Sequence, residues 1–134
     1  MAKLSFDVNS KAYDEVEIAG EDYKLFYDDE SLKRYQKQAQ IYSKKASDYA
    51  KKQDKIPEMS EKERKKLEDE GFEFVKEFIE TFLGAGSYEK MYQACGKSMI
   101  NLVGLINQIM EWLDSKLATV DDKKKQRYKP KRKK

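Results

Sequence analysis

Apolar residues are spread unevenly along this chain, and the densest helical patterning lies between Phe72 and Leu117. Two helical stretches there are joined by Gly84-Ala85-Gly86-Ser87. The residues before it are polar and lightly patterned, and those after it are mostly lysine and arginine. Burial of apolar surface drives folding, so a core has to be built on Phe72–Leu117.

Upstream, Val8 to Tyr27 reads as strand. Val16-Glu17-Ile18 alternates, Ala19-Gly20-Glu21-Asp22 is turn chemistry, and Tyr23-Lys24-Leu25-Phe26-Tyr27 is rich in β-favouring aromatics. Tyr23 and Leu25 share one face and Phe26 takes the other. Such a pair is marginal alone and has to lean on helices. Asp28-Asp29-Glu30-Ser31 then opens a helix, its acids at the positive end of the dipole. Leu32, Tyr35, Ala39, Tyr42, Ala46 and Tyr49 form one stripe at alternating spacings of three and four. That stripe reads as an amphipathic face on the core. Stacked nucleic-acid bases would need exposed rings in a basic surface, whereas these rings share their face with alanines.

After a linker at 54–59, Ser60-Glu61-Lys62-Glu63 is a capping box. From Leu67 the set Phe72, Phe74, Val75, Phe78, Ile79, Phe82 and Leu83 covers nearly half of the helical wheel, and Gly84 and Gly86 end it. The two glycines are the expected hinge between the arms of a helical hairpin. Ser87 can cap the last helix. Tyr88, Met91, Tyr92, Cys95, Met99, Leu102, Val103, Ile106, Ile109, Met110, Leu113 and Leu117 keep the spacing, Leu105 and Trp112 widen the arc, and Ile100 lies outside it. An ordinary surface helix uses a stripe of about 100°. A straight helix from Tyr88 to Ala118 would measure about 46 Å, against about 36 Å across a compact domain of this length. Unless Gly96 or Gly104 bends it, its end overhangs. Surplus arc and overhang together mark Leu105, Ile109, Trp112, Leu113 and Leu117 as a candidate partner-binding surface.

The expected fold is therefore mostly α with a small N-terminal β-hairpin (α+β), with three main helices. One domain holds a strand part at 1–27, a helical body at 28–119 and a disordered basic tail at 120–134. Charge changes the picture only at that tail. Lys123, Lys124, Lys125, Arg127, Lys129, Lys131, Arg132, Lys133 and Lys134 stand against Asp121 and Asp122, a net +7. Taken from the whole-chain +3, this leaves −4 for residues 1–120. The tail, with Lys131 and Arg132 beside Pro130, cannot fold alone. It reads as a solubilising segment, as a contact for an acidic protein or nucleic acid, or as a membrane-surface anchor. Nonspecific nucleic-acid binding in dilute salt is expected from its charge whatever its role.

Candidate chemistry is sparse. The chain has no His and a single Cys, which removes disulfides within the chain, most zinc sites and imidazole catalysis. Cys95 sits at a helical apolar position and reads as a small hydrophobe. Gly84-Ala85-Gly86 follows a helix and lacks the Lys-Ser/Thr end of a phosphate-binding loop. The acidic pairs at 28–29, 69–70 and 121–122 read as solvated. No enzyme and no cofactor are expected. No signal-like apolar run opens the sequence, and the most apolar window, Met99–Leu113, is too short to span a bilayer. A soluble intracellular protein with no membrane partner is the expectation.

The layout resembles that of the tail assembly chaperones of long-tailed phages and prophages of Gram-positive bacteria. The resemblance lies in the strand pair 16–18 and 23–27 followed by Asp28-Asp29-Glu30-Ser31-Leu32. It lies above all in Phe78-Ile79-Glu80-Thr81-Phe82-Leu83-Gly84-Ala85-Gly86-Ser87-Tyr88-Glu89-Lys90-Met91-Tyr92, and it covers roughly residues 4–118. It implies a non-enzymatic protein of the host cytoplasm that binds the tape measure protein, keeps it soluble and helps recruit tail tube subunits. It further implies self-association and absence from the finished particle. Many relatives of that kind are also made as a longer frameshifted product. The basic tail has no counterpart in the resemblance. Two rival readings stand beside it: a small nucleic-acid-binding or regulatory protein acting through the tail, and a helical scaffold that only homo-oligomerises.

Overall fold

The computed structural model describes residues 3–128. Its elements run β1 (Tyr13–Ile18), β2 (Glu21–Phe26), α1 (Asp29–Gln53), α2 (Glu61–Leu83), α3 (Ser87–Ala94) and α4 (Met99–Tyr128), with a single 3-10 turn at Ile56–Glu58. The mostly helical fold with an N-terminal hairpin is as the sequence predicts. The helices number four rather than three.

β1 and β2 pair antiparallel, Tyr13 opposite Phe26 and Ile18 opposite Glu21. The reversal uses only Ala19 (φ 52°) and Gly20 (φ 83°), a two-residue turn of the I′ type whose twist matches the strands. Glu21 and Asp22, expected in the turn, already belong to β2, and residues 8–12, expected as strand, do not. Leu25 is 2% exposed and Phe26 39%, which gives the inward and outward faces that the alternation predicts.

α1 opens at Asp28, whose carboxylate accepts the Ser31 N–H at 3.1 Å. α2 opens with the complete capping box, Ser60 Oγ accepting from Glu63 N–H at 3.2 Å and Glu63 reaching back to Ser60 N–H. The two helices are held by an aromatic ladder. Tyr35 stacks on Phe82 (4.3 Å between centroids) and Phe82 on Phe78 (4.5 Å). Tyr42 meets Phe78 and Phe74, and Tyr49 meets Phe74. Ascending numbers in α1 meet descending ones in α2, so the helices are antiparallel. Such pairs add about 0.5–1.5 kcal/mol each beyond the area that they bury. Lys45–Glu77 and Lys52–Glu70 bridge the exposed edge of the same pair, where ion pairs contribute about 0–1 kcal/mol.

The joint at 84–87 is a turn in which both glycines take positive φ, 102° at Gly84 and 80° at Gly86. Gly86 N–H donates to the Glu80 carboxylate at 3.1 Å. Ser87 is not the N-cap expected of it. Gly86 holds that position, and the buried Ser87 hydroxyl donates to the Gly84 carbonyl at 2.6 Å.

The predicted continuous helix from Tyr88 stops at Cys95. Gly96 N–H donates to the Gln93 carbonyl and Lys97 N–H to the Tyr92 carbonyl, the paired bonds of a Schellman stop, with Gly96 at φ 71° and Lys97 at 56°. Ser98 restarts the chain by accepting Asn101 N–H at 3.2 Å. Gly96 thus ends one helix rather than bending it. Gly104 lies within α4. No described helix is long and apolar enough to cross a membrane.

α4 supplies Leu102, Ile106, Ile109 and Leu113 to the core, facing Tyr35 and Tyr42 of α1, Phe78, Ile79 and Phe82 of α2, Met91 of α3 and Leu25 of β2. Its helix continues to Tyr128. The expected change from body to disordered tail at residue 120 is therefore not marked by a helix end, and residues 129–134 lie outside the described residues.

Candidate functional site

Two apolar depressions lie along α4, and different residues build each. The larger is a groove of about 400 Å³ among α1, α2 and the start of α4. Tyr42, Ala46 and Tyr49 of α1 form one wall. Gly71, Phe72, Phe74 and Val75 of α2 form a second, Met99 and Val103 of α4 close it, and Glu68 is the one charged lining residue. Two small residues, Ala46 and Gly71, stand among its larger lining residues. Ala46 sits between two tyrosines of the stripe. A Cβ on Gly71 would fall 2.9 Å from Tyr49 Cε2, so the bare glycine allows the Tyr49 ring to lie against α2. Phe72 turns aside to meet Tyr92 edge-on at 6.3 Å. Burial pushes the Tyr42 hydroxyl above its usual pKa.

The smaller depression is a cleft of about 180 Å³ between the hairpin and α4, lined by Val16, Glu17, Ile18, Leu25, Leu105, Gln108, Ile109 and Trp112. A polar latch closes one end. Trp112 Nε1–H donates to Asp14 Oδ2 at 2.8 Å, and Lys116 Nζ reaches the same oxygen at 2.9 Å. The indole hydrogen bond first, and then Lys116, hold the Asp14 carboxyl below its ordinary pKa.

Of the five residues expected to meet a partner, Ile109 and Leu113 are core residues, 4% and 2% exposed. Leu105 and Trp112 are partly buried in the hairpin cleft, and Leu117 is partly buried against the core. The apolar arc of this helix is wide, and the chain's own core and hairpin take up these residues. Gly84 and Gly86 stand in the α2–α3 turn already described. Lys123, Lys124, Lys125 and Arg127 lie in the last turns of α4, where the backbone alone is described, and Lys131 and Arg132 lie outside the described residues. Cys95 is partly buried, which pushes its thiol pKa up.

Sequence patterning missed the groove because it counts apolar residues along each helix and does not show where three helices cross. Gly71 within an otherwise good helix, opposite the alternating Tyr and Ala of α1, is the signal that could have found it. Comparison with protein-family models, with curated proteins and with solved structures finds no match to this chain.

Proposed function

We propose that this chain is a phage tail assembly chaperone and that the groove among α1, α2 and α4 takes an amphipathic helix of the tape measure protein. The groove carries the reading: apolar helical walls beside a charged exterior are what a helix-in-groove binder needs. Met99 in the wall is a side chain that adapts to varied sequences. The Phe78–Tyr92 phrase and its resemblance to the chaperone family supply the identity of the occupant. In this reading the protein works in the host cytoplasm without catalysis, helps recruit tail tube subunits and leaves before the particle is complete.

Two or three anchor residues entering the groove would each contribute roughly 1.5–3 kcal/mol, before the cost of association. Co-expression with the tape measure protein tests this. Phe72→Glu and Val103→Glu alter partly buried groove residues, and circular dichroism checks that each variant folds. Both are expected to leave the tape measure protein insoluble while Ile100→Glu, at an 86% exposed position, does not. Equal solubility with all three variants refutes the groove. Loss of the partner on removing residues 121–134 alone would favour the tail-centred rival instead.

A further inference from the structure

The segment before β1 carries Leu4, Phe6 and Val8, which are 85%, 85% and 86% exposed. They alternate with Ser5, Asp7 and Asn9, the period of a strand with one apolar face. Among the described residues nothing covers that face. The same chain also carries an acceptor for such a strand. In the hairpin the alternate residues Tyr13, Glu15 and Glu17 occupy the non-hydrogen-bonded pairs, so their N–H and C=O groups point away from β2. On the opposite edge, Phe26 N–H is capped by the Tyr35 hydroxyl of α1 at 3.3 Å. Among the described residues no backbone group meets the outer edge of β1, and the apolar cleft lined by Val16, Ile18, Leu105 and Trp112 lies between β1 and α4.

We infer that the N-terminal arm of one copy adds as a strand to the free β1 edge of a second copy, with Leu4, Phe6 and Val8 on the helix side and one of them in the cleft. Strand addition gains affinity from main-chain hydrogen bonds and specificity from pockets for alternate side chains, and this chain has both. A cleft of about 180 Å³ has room for one large apolar side chain. Charge agrees: Lys3 and Lys11 against Asp7 make the arm net positive, while Asp14, Glu15 and Glu17 make β1 acidic. The arm's own β1 is the poorer acceptor. A return through residues 9–12 sets Val8, Phe6 and Leu4 directly opposite Tyr13, Glu15 and Glu17, and paired residues share a face, here the solvent face. The inference stands apart from the groove and its proposed occupant.

Sedimentation of the full chain tests it. Wild type is expected at twice the 15.8 kDa of one chain. Phe6→Asp removes the donor and Glu15→Pro the acceptor; the Glu15 N–H points outward, so proline there spares the bonds to β2. Each variant alone is expected to be monomeric with unchanged circular dichroism, and an equimolar mixture, with one intact donor and one intact acceptor, is expected to recover the dimer. If Glu15→Pro unfolds, deletion of residues 1–9 mixed with Phe6→Asp replaces it: both lack a donor, so both and their mixture must stay monomeric. A monomeric wild type, or a dimer that survives Phe6→Asp, overturns the inference.

Discussion

Asp14→Ala is the sharpest test of how the hairpin is fastened to the helices. One carboxylate oxygen accepts both the Trp112 indole N–H at 2.8 Å and the Lys116 ammonium at 2.9 Å. Alanine leaves the partly buried indole donor without a partner, which costs about 1–3 kcal/mol. The Lys116 pair is partly exposed, 28% and 40% on the two side chains, so its loss adds about 0–1 kcal/mol. A total of about 2 kcal/mol is expected. Asp14→Asn keeps an oxygen facing the indole and forfeits mainly the charge, so it is expected to lose about 1 kcal/mol or less. Trp112 is the chain's one tryptophan, and urea denaturation followed by its fluorescence reads unfolding and the latch together. Since a two-stranded hairpin is marginal alone, the folded Asp14→Ala protein is also expected to show red-shifted emission from a wetter indole. Stability within about 0.5 kcal/mol of wild type, the range of ordinary surface changes, with unshifted emission would refute the latch.

Gly96→Ala meets no neighbour within 4 Å, so its whole cost is the left-handed backbone at φ 71°, about 1–2 kcal/mol, read as a lower urea midpoint; an unchanged midpoint would mean that the α3–α4 stop is not held there. Acid should weaken the Asp14 latch in a defined window. The folded carboxyl titrates below its unfolded value of about 3.9, so its contribution is complete above that value and is lost as pH falls through the lower, folded pKa. The stability difference between wild type and Asp14→Asn is expected to stay flat from neutral pH down to about 5 and to shrink only below about 4. The comparison isolates Asp14 from Asp28, whose carboxyl is also held low, by Ser31.

The elements that sequence patterning found are those whose signals agree with one another. α1 has an acidic cap and an unbroken stripe, α2 a capping box and a broad apolar arc, and the hairpin has Gly20 between two alternating runs. The break between α3 and α4 escaped because periodicity passes straight through it. Met91, Cys95, Met99 and Leu102 are spaced four, four and three apart, so a wheel drawn through residues 95–98 shows one continuous face. The physical signals were local: a glycine able to take the C′ position and, two residues on, a serine able to cap the next helix. Each is weak alone, and a long apolar arc outweighed them. Ser87 failed for a related reason. It satisfies the sequence rule for an N-cap, but with Gly86 at positive φ its hydroxyl reaches the Gly84 carbonyl first.

The surplus apolar arc of α4 was legible; the neighbour that covers it was not. Periodicity measures how much surface a helix has to bury and says nothing of which neighbour buries it. Leu102, Ile106, Ile109 and Leu113 face the other helices, and Leu105 and Trp112 turn to a hairpin that buries only Leu25 fully. A strand pair with so few buried apolar residues is held by Leu25, by the Tyr35 hydroxyl on Phe26 N–H and by the Asp14 latch, so polar contacts between residues far apart in sequence help to cover the arc. The open apolar surface lies instead at the groove beside Gly71 and at the alternating residues of the N-terminal arm. The first lies where α1, α2 and α4 cross, and the second is a segment outside the strands whose apolar residues alternate. Phe72→Glu and Phe6→Asp therefore test separate surfaces, and each should leave the other's behaviour unchanged.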